Sequence, residues 1–324
     1  MSVVLTRSRA LNALRAYVSY ALSRLGSVHV AHGPLFVSVE PAAVCQLKCP
    51  ECPVGQRSVS ETVGQRSGLM PLEVFRWILA ECRETAWIMQ FYFQGEPLLN
   101  KDLPIMIREA HEAGLYTIVS TNAQAMTEAM AEALVTSGLD RIIVSMDGLT
   151  DESYNAYRVG GSLEKCKAAL RYLRQSKINN QKSKILIELQ CLRLKSNEQE
   201  WKIFERQYKA LGADRLVFKT AQLYDYANGH PLMPSNPRYS RYLQGEDGLY
   251  HRRPLRKGCW RVWSGVVITT NGDVLPCCYD KSHAYAYGNI MDTPLKELFA
   301  NNRAMAFRKT AFQQFPKICQ ECWK

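Results

Sequence analysis

The feature that most constrains the fold is a regular alternation of strand-like and helix-like segments between residues 34 and 221. Short apolar runs predict strands, and the segments between them carry apolar residues at helical spacing. The predicted strands are 35–40, 88–93, 115–120, 141–146, 185–192 and 215–219, and the predicted helices are 71–85, 102–113, 127–136, 162–175 and 198–210. Strands joined by helices pair in parallel through right-handed crossovers. Six repeats are too few for an eight-fold barrel, so we predict an α/β fold, a partial (β/α)6 barrel with an open, curved sheet and the helices outside.

The other segments divide the chain into four predicted regions. Residues 1–33 contain a basic helix, residues 34–221 form the barrel, residues 222–258 connect, and residues 259–324 form a small cysteine-rich domain. The connecting segment loses the alternation and carries several prolines and glycines. In the last region Asn271-Gly272 predicts a tight hairpin, and a helix is expected near 294–310. Ser162 and Asn197 are residue types that favour helix N-caps.

Residues 7–25 have the pattern of a basic amphipathic helix. Apolar residues recur every three or four positions, at Leu11, Leu14, Val18, Leu22 and Leu25, and the segment contains four arginines and no acidic residue. Most amphipathic helices pack on their own domain, which is one interpretation here. Peripheral contact with an anionic membrane and contact with a partner protein are the two alternatives.

Composition limits the kind of protein this can be. The chain has 324 residues, 11 cysteines and a formal net charge of +11. An odd cysteine count without an export signal argues against a disulfide framework. No apolar run is long enough to cross a bilayer, and we expect a cytoplasmic protein. The positive charge favours an anionic partner. A basic run is either a solvated face or a contact for an acidic substrate; its members are Arg252, Arg253, Arg256, Lys257 and Arg261.

Three cysteines lie within eight residues, directly after the first predicted strand. Cys45, Cys49 and Cys52 form the pattern C-x3-C-x2-C. Loops at the carboxyl ends of parallel strands are where α/β sheets bind ligands. Structural zinc would require a fourth protein ligand, and no histidine lies close by in sequence. Three thiolates can instead hold one 4Fe–4S cubane and leave its fourth iron free, so the pattern favours an iron–sulfur cluster.

This cysteine pattern resembles that of the radical S-adenosylmethionine (SAM) superfamily, over roughly residues 34–220. Other motifs match in order after the second, third and fourth strands. The resemblance implies a SAM site formed by Gln94, Gly95, Glu96, Asn122, Ser145 and Arg158. Glu96 is expected to receive the amino group of SAM, and Arg158 to pair with its carboxylate. Two positions depart from the family pattern: Glu51 stands where an aromatic residue is common, and Gln94 replaces the first glycine of a Gly-Gly-Glu motif.

The resemblance also implies the chemistry. A reduced 4Fe–4S cluster with SAM on its free iron yields a 5′-deoxyadenosyl radical, which abstracts hydrogen from a substrate. The cofactors perform this reaction, and the protein binds, orients and excludes water. A flavodoxin- or ferredoxin-type protein is the expected electron donor.

A second set of cysteines lies near the end of the chain. Cys259, Cys277, Cys319 and Cys322 can supply four ligands, with Cys319-x2-Cys322 closing the set. Taken alone, four cysteines fit zinc as well as iron–sulfur. Beside a radical SAM motif, the set resembles the auxiliary-cluster domains called SPASM and twitch, and it resembles most the shorter, twitch-like form. That resemblance implies a second, auxiliary 4Fe–4S cluster.

Two further cysteines are candidates for hydrogen-atom donors to a substrate radical. Cys278 is left over from the second set, and Cys191 lies on the fifth predicted strand. The alternative for Cys278 is a bystander thiol beside Cys277. Cys82 and Cys166 fall at apolar positions of predicted helices and are expected to be packing residues.

The substrate is the least constrained feature. Relatives with twitch domains lead us to expect oxidation or epimerisation of a carbohydrate-type substrate. A peptide-modifying SPASM maturase is the alternative; a region of 33 residues is too short for a leader-peptide-binding domain. A zinc-bearing nucleic-acid-binding protein is a third reading, but no interleaved aromatic and basic stretch supports it, so no nucleic-acid partner is expected.

Overall fold

The computed structural model describes residues 4–26, 28–56, 68–253, 258–320 and 322. These residues divide into two compact units. The first comprises the described residues within 1–44, 62–119 and 255–324, and the second those within 45–61 and 120–254. Arg256 and Lys257 of the predicted basic run lie outside the described residues.

Strands and helices alternate along most of the described chain. The strands are β1 (Phe36–Val39), β2 (Ile88–Phe91), β3 (Tyr116–Thr121), β4 (Arg141–Ser145), β5 (Leu186–Arg193), β6 (Arg215–Thr220), β7 (Tyr242–Gln244), β8 (Tyr250–Arg252), β9 (Gly265–Ile268), β10 (Asp273–Leu275) and β11 (Gly288–Asn289). The helices are α1 (Arg7–Arg24), α2 (Leu72–Cys82), α3 (Leu103–Glu112), α4 (Glu128–Thr136), α5 (Asp151–Asn155), α6 (Leu163–Asn179), α7 (Trp201–Gln207), α8 (Trp260–Ser264), α9 (Leu295–Ala300), α10 (Asn302–Gln313) and α11 (Lys317–Gln320). No described helix is both long enough and apolar enough to cross a membrane.

The first unit has a mixed sheet in the order β11-β10-β9-β1-β2-β3. Strand β1 pairs in parallel with β2 and with β9, and β2 pairs in parallel with β3. Val39, the last residue of β1, lies opposite Phe91 of β2 and Ile268 of β9. The carboxyl ends of these three strands therefore meet at one edge of the sheet. Strand β10 is antiparallel to both β9 and β11.

The second unit contains the parallel strands β4-β5-β6 and a separate antiparallel hairpin, β7-β8. That hairpin lies in the predicted connecting segment, where the sequence indicated no strand. Each end of strands β1 to β6 lies within two residues of its predicted position. The α/β class with a parallel sheet is confirmed.

Local sequence signals identified several turns and caps correctly. Gly272 has a φ of +87° in the turn between β9 and β10, as the Asn-Gly hairpin predicts. The Ser162 side chain accepts a hydrogen bond from Lys165 N at the start of α6. Cys82 and Cys166 are both fully buried, as expected of packing residues, and burial raises the pKa of each thiol to about 12.

Two local predictions are wrong. The single helix expected near 294–310 is two helices, because Asn301 ends α9 and caps α10 by accepting from Ala304 N. Asn197 does not cap α7; it ends a 3-10 turn, and its amide donates to the backbone oxygens of Asp147 and Leu192.

Helix α1 packs within the first unit, as the first of the three interpretations expects, but it does so through a face that does not include its leucines. The buried residues of this helix are Arg9, Asn12, Ala16, Ser19 and Ser23, whereas the leucines of the apolar stripe are exposed.

Candidate active site

The first cysteine loop belongs to the second unit and is tightly folded. Lys48 N donates to Val159 O at 2.9 Å, and Cys52 N donates to Cys49 O at 3.2 Å. Gly55 packs so closely on this turn that a Cβ there would lie 2.7 Å from Cys49 N. No larger residue fits at this position without moving the backbone, so the loop conformation depends on this glycine.

All three thiols of the loop contact one apolar cluster. Cys49 is buried, Cys45 and Cys52 are half-buried, and none of the described cysteines forms a disulfide. The cluster residues packed with them are Leu47, Tyr157, Leu192, Leu194, Ala221, Leu223, Tyr226, Leu232, Met233, Tyr242 and Tyr250. The loop therefore presents thiols in a water-poor, partly aromatic environment, which suits an iron–sulfur cluster.

Asn122, one of the predicted SAM-site residues, contacts the loop directly. Its Nδ2 donates to Cys45 Sγ at 3.3 Å, and Leu47 N donates to the same sulfur at 3.5 Å. The side-chain oxygen of Asn122 accepts from Gln46 Nε2 at 3.2 Å and from Gln124 N at 3.0 Å. Donors to a cysteine sulfur stabilise its thiolate form, so this arrangement fits a cluster ligand.

Arg158, the predicted carboxylate partner, forms a buried ion pair with Asp147. Arg158 Nε lies 2.6 Å from Asp147 Oδ2, and the other carboxylate oxygen of Asp147 accepts from Leu192 N at 2.6 Å. Burial raises the pKa of the Cys49 thiol, and the nearby Arg158 guanidinium opposes that rise. The guanidinium is thus fixed beside a cysteine of the loop. Ser145, the last residue of β4, is also buried.

Glu51, which stands where an aromatic residue is common in the family, makes two polar contacts. Its carboxylate accepts from Tyr224 N at 2.8 Å and lies 3.3 Å from His230 Nε2. These contacts join the cysteine loop to the segment that follows β6. No sequence pattern marks His230 as a partner of the loop, because it lies far along the chain from Glu51.

A cavity of about 230 Å³ lies in the same unit. Its walls combine aromatic rings with hydrogen-bonding groups, and they are formed by Lys195, His230, Met233, Pro234, Ser235, Pro237, Ser240, Tyr242, Gln244 and Tyr250. Tyr242 and Tyr250 also belong to the apolar cluster around the cysteines, and His230 pairs with Glu51 of the loop. A larger depression of about 490 Å³ between α4 and α6 has no cysteine in its walls.

The Gln94-Gly95-Glu96 motif belongs to the first unit, where it follows β2. A Cβ at Gly95 would overlap the carbonyl oxygen of Ala42 and come within 2.8 Å of Val44 O. Glu96 N donates to Val44 O at 2.8 Å. The motif is therefore held against the residues that immediately precede Cys45, and only glycine allows this approach.

The outer two residues of the motif have distinct local contacts. The buried Glu96 carboxylate accepts from Leu98 N at 3.1 Å and so caps the 3-10 turn Pro97–Leu99. Gln94 Nε2 donates to Lys281 O at 3.1 Å, whereas its buried Oε1 has no hydrogen-bond partner among the described residues. Gln94 thereby joins the motif to the loop that follows Cys277 and Cys278.

The second cysteine set also belongs to the first unit. Burial raises the pKa of the Cys277 thiol well above its usual value. Three neighbouring thiols add to that rise, those of Cys278, Cys259 and Cys319. Cys322 N donates to Cys319 O at 3.2 Å, which places these two in one turn. The fold therefore brings together cysteines that are up to sixty residues apart in the chain.

A donor set made of thiols alone fits an iron–sulfur cluster at both sets. Over the described ranges, no three histidine, cysteine, aspartate or glutamate side chains are grouped as ligands of one metal ion. A cubane differs from a single ion in taking one thiolate on each iron.

Two family models match the chain. The model for the radical SAM superfamily matches residues 39–189, and the model for an iron–sulfur cluster-binding domain, SPASM, matches residues 259–323. The chain is a radical SAM protein with a C-terminal SPASM domain. Membership implies a SAM-binding 4Fe–4S cluster, auxiliary iron–sulfur and SAM itself as cofactors, as predicted.

The radical SAM protein has curated relatives of similar extent. It is 26% identical over 328 residues to a PqqA peptide cyclase of Xanthomonas campestris pv. campestris (strain 8004), covering 90% of this chain and 80% of the relative. A PqqA peptide cyclase of Granulibacter bethesdensis is 25% identical over 318 residues, covering 89% and 79% of the two chains.

Solved structures share the fold of this radical SAM protein. A structure of anSMEcpe with bound AdoMet has a TM-score of 0.65 and 21% identity, covering 86% of this chain and 81% of that one. SuiB of Streptococcus suis bound to its precursor peptide SuiA has a TM-score of 0.65 and 15% identity, with 96% and 75% covered. BtrN in complex with AdoMet and 2-DOIA has a TM-score of 0.54 and 18% identity, with 90% and 93% covered.

The two candidate hydrogen donors of this radical SAM protein differ in exposure. Cys278 is half-buried beside Cys277. Cys191 is fully buried in β5, where its sulfur lies 3.6 Å from Asn197 Nδ2, and burial raises its pKa well above the usual value. A donor role for either thiol stays a prediction.

Proposed function

We propose that this protein is a peptide-modifying radical SAM enzyme that removes hydrogen from a residue of its substrate. The similarity to PqqA peptide cyclases carries the proposal, because it extends over 90% of the chain. The sequence alone favours a carbohydrate-type substrate, with peptide maturation as the alternative. The curated relatives favour the peptide alternative. The likeness to BtrN concerns the fold alone.

The first cysteine set is assigned to the SAM-binding cluster. Cys45, Cys49 and Cys52 would each ligate one iron, and together with SAM this cluster supplies a 5′-deoxyadenosyl radical. Asn122 donates to Cys45, which holds the sulfur in place. The apolar and tyrosine-rich cluster around the loop excludes water from these thiols.

The residues assigned to SAM itself have the right chemical types. Glu96 offers a buried carboxylate to the amino group, and Arg158 offers a guanidinium fixed by Asp147 to the carboxylate. Gly95 allows a close backbone approach next to the first cysteine. Gln94, Asn122 and Ser145 would supply the remaining polar contacts, and we retain all six as the proposed SAM site.

The second cysteine set is assigned to one auxiliary 4Fe–4S cluster. Cys259, Cys277, Cys319 and Cys322 supply a thiolate for each iron, so no iron is left to bind the substrate. Four thiolates therefore suit electron transfer, with a flavodoxin- or ferredoxin-type protein as the external donor. We place this domain at residues 259–324 and the radical SAM domain at residues 34–221.

The size of the cavity in the second unit is compatible with binding one side chain of a peptide substrate. A volume of about 230 Å³ suits a single amino-acid side chain. Its tyrosines can contact an apolar part, and Lys195, His230 and Gln244 can hydrogen-bond a polar or acidic end.

The test is hydrogen transfer from candidate substrates. Anaerobically reconstituted protein would be given SAM, a reductant and peptides encoded beside its gene, carrying deuterium at side-chain carbons. We expect deuterium in 5′-deoxyadenosine from one such peptide and no transfer with the Cys45→Ala/Cys49→Ala/Cys52→Ala variant. Transfer from a deuterated sugar and from none of the peptides would contradict the peptide proposal and restore the carbohydrate interpretation.

A further inference from the structure

Helix α1 has its polar face inward and its apolar face outward. Its buried residues are Arg9, Asn12, Ala16, Ser19 and Ser23, whereas the exposed residues Leu11, Leu14, Val18, Leu22 and Leu25 form the apolar stripe. With 3.6 residues per turn, these two sets lie on opposite sides of the helix. The stripe is 41–84% exposed, residue by residue, and Val4 and Leu5, just before the helix, are exposed as well.

This orientation is fixed by Arg9. Its guanidinium donates to the backbone oxygens of Arg83, Ala113 and Gly114 at 2.7–3.3 Å. Arg83 directly follows α2, and Ala113 and Gly114 directly follow α3, so Arg9 satisfies carbonyl groups that helix ends leave without partners. If α1 rotated to bury its leucines, Arg9 would lose all of these hydrogen bonds.

Asn12 reinforces the same rotation of the helix. Its side-chain oxygen accepts from Gly33 N at 2.9 Å, and its Nδ2 donates to Gly33 O at 3.1 Å. Arg9 and Asn12, on consecutive turns, thus keep the polar face of α1 against the first unit. The apolar stripe therefore lies on the surface of this unit.

The charge around the stripe indicates what it contacts. Residues 1–39 contain four arginines and no lysine, aspartate or glutamate. Three of these arginines, Arg7, Arg15 and Arg24, are exposed on α1 together with the stripe. An exposed apolar stripe on a helix whose own charges are all positive matches an anionic membrane surface, where acyl chains contact the apolar side chains and headgroups contact the arginines.

We propose that α1 binds peripherally to anionic lipid bilayers, lying in the plane of the membrane with the apolar stripe inserted. A soluble monomer seldom leaves a continuous apolar stripe in water without a binding role. The inference is independent of the substrate, so it stands or fails separately from the proposed peptide modification.

The test uses the full-length reconstituted protein and vesicle co-sedimentation. Vesicles of phosphatidylcholine alone are compared with vesicles that also contain phosphatidylglycerol. We expect binding to the anionic vesicles, weakened by salt, and at least tenfold weaker binding of Leu14→Glu/Val18→Glu. The matched control is Ile178→Glu/Ile203→Glu, which changes two exposed isoleucines on α6 and α7 and adds the same charge. It should bind like the unaltered protein.

Two further variants separate the contributions. Leu11→Ser/Leu22→Ser removes apolar area without adding charge and should also weaken binding. Arg7→Gln/Arg15→Gln/Arg24→Gln should remove the preference for anionic over neutral vesicles. Circular dichroism and the cluster absorbance check that each variant is folded.

Several results would overturn the proposal. Equal binding to neutral and anionic vesicles would exclude an anionic surface as the ligand. Unchanged binding of both stripe variants, or no vesicle binding at all, would exclude the stripe as a membrane contact. Self-association that is lost in Leu14→Glu/Val18→Glu, without vesicle binding, would make the stripe a protein interface instead.

Discussion

The two cysteine sets differ in how they are assembled and in how many thiols they offer. Cys45, Cys49 and Cys52 lie in one loop of a single unit, whereas Cys259 and Cys322 are separated by seven secondary-structure elements among the described residues. The first set offers three thiols, which leave one iron of a cubane open. The second offers four, which close it. In this chain a single loop supplies the open set, whereas the closed set is assembled from several elements of a folded domain.

The largest expected effect comes from removing either set. Cys45→Ala/Cys49→Ala/Cys52→Ala should lose about four of about eight irons and all cleavage of SAM, because the open iron is gone. The reciprocal variant, with Ala at Cys259, Cys277, Cys319 and Cys322, should lose a similar amount of iron but still cleave SAM. Iron analysis and 5′-deoxyadenosine assays measure both. Stoichiometric zinc in place of iron would contradict the assignment of both sets to iron–sulfur clusters.

Features encoded in neighbouring residues are predictable from the sequence, and features that depend on distant residues are not. The first set, the strands and the Asn271-Gly272 turn are encoded in a few consecutive residues, so local rules identify them. The Glu51–His230 pair depends on residues far apart in the chain, and no periodicity marks it. The orientation of α1 could not be predicted, because periodicity defines two faces but not the carbonyl groups of Arg83 and Gly114 that select the polar one.

The second prediction tests whether Arg158 serves SAM or only the fold. Arg158→Gln should weaken SAM binding roughly tenfold to hundredfold with iron retained. It should also lower the free energy of unfolding by about 3 kcal/mol, since Asp147 is left buried and unpaired. Adding Asp147→Asn should restore stability but not SAM affinity. Arg171→Gln, which breaks the exposed Arg171–Glu164 pair, is the control and should leave both SAM affinity and stability nearly unchanged.

Recovery of SAM affinity in Arg158→Gln/Asp147→Asn would show that Arg158 acts through the fold alone. In that case, the polar contacts of the SAM site would have to be assigned to other residues of the motifs. Isothermal titration with SAM and denaturant unfolding distinguish these outcomes.

The third prediction separates two roles of Glu96. Glu96→Gln keeps an oxygen that can accept from Leu98 N, so the 3-10 turn should remain intact. It removes the negative charge, so SAM affinity should fall roughly tenfold. Glu96→Ala should lose the affinity and also about 1 kcal/mol of stability from the missing cap. If Glu96→Gln binds SAM normally while Glu96→Ala is destabilised, the residue is a cap and nothing more.

The smallest expected effect is that of Cys278→Ala. A set of four cysteines is complete without it, so Cys278 is expected to be a bystander beside Cys277, and the variant should keep most turnover. A thiol can nevertheless return hydrogen to a substrate radical, because its S–H bond is weaker than a substrate C–H bond. In that case product formed in heavy water would carry one deuterium, and Cys278→Ala would still form 5′-deoxyadenosine but no product. Cys191→Ala is the comparison, since that thiol is fully buried in β5. Deuterium in the product of the unaltered protein, combined with loss of turnover in Cys278→Ala but not in Cys191→Ala, would make Cys278 a hydrogen donor to the substrate radical rather than a bystander.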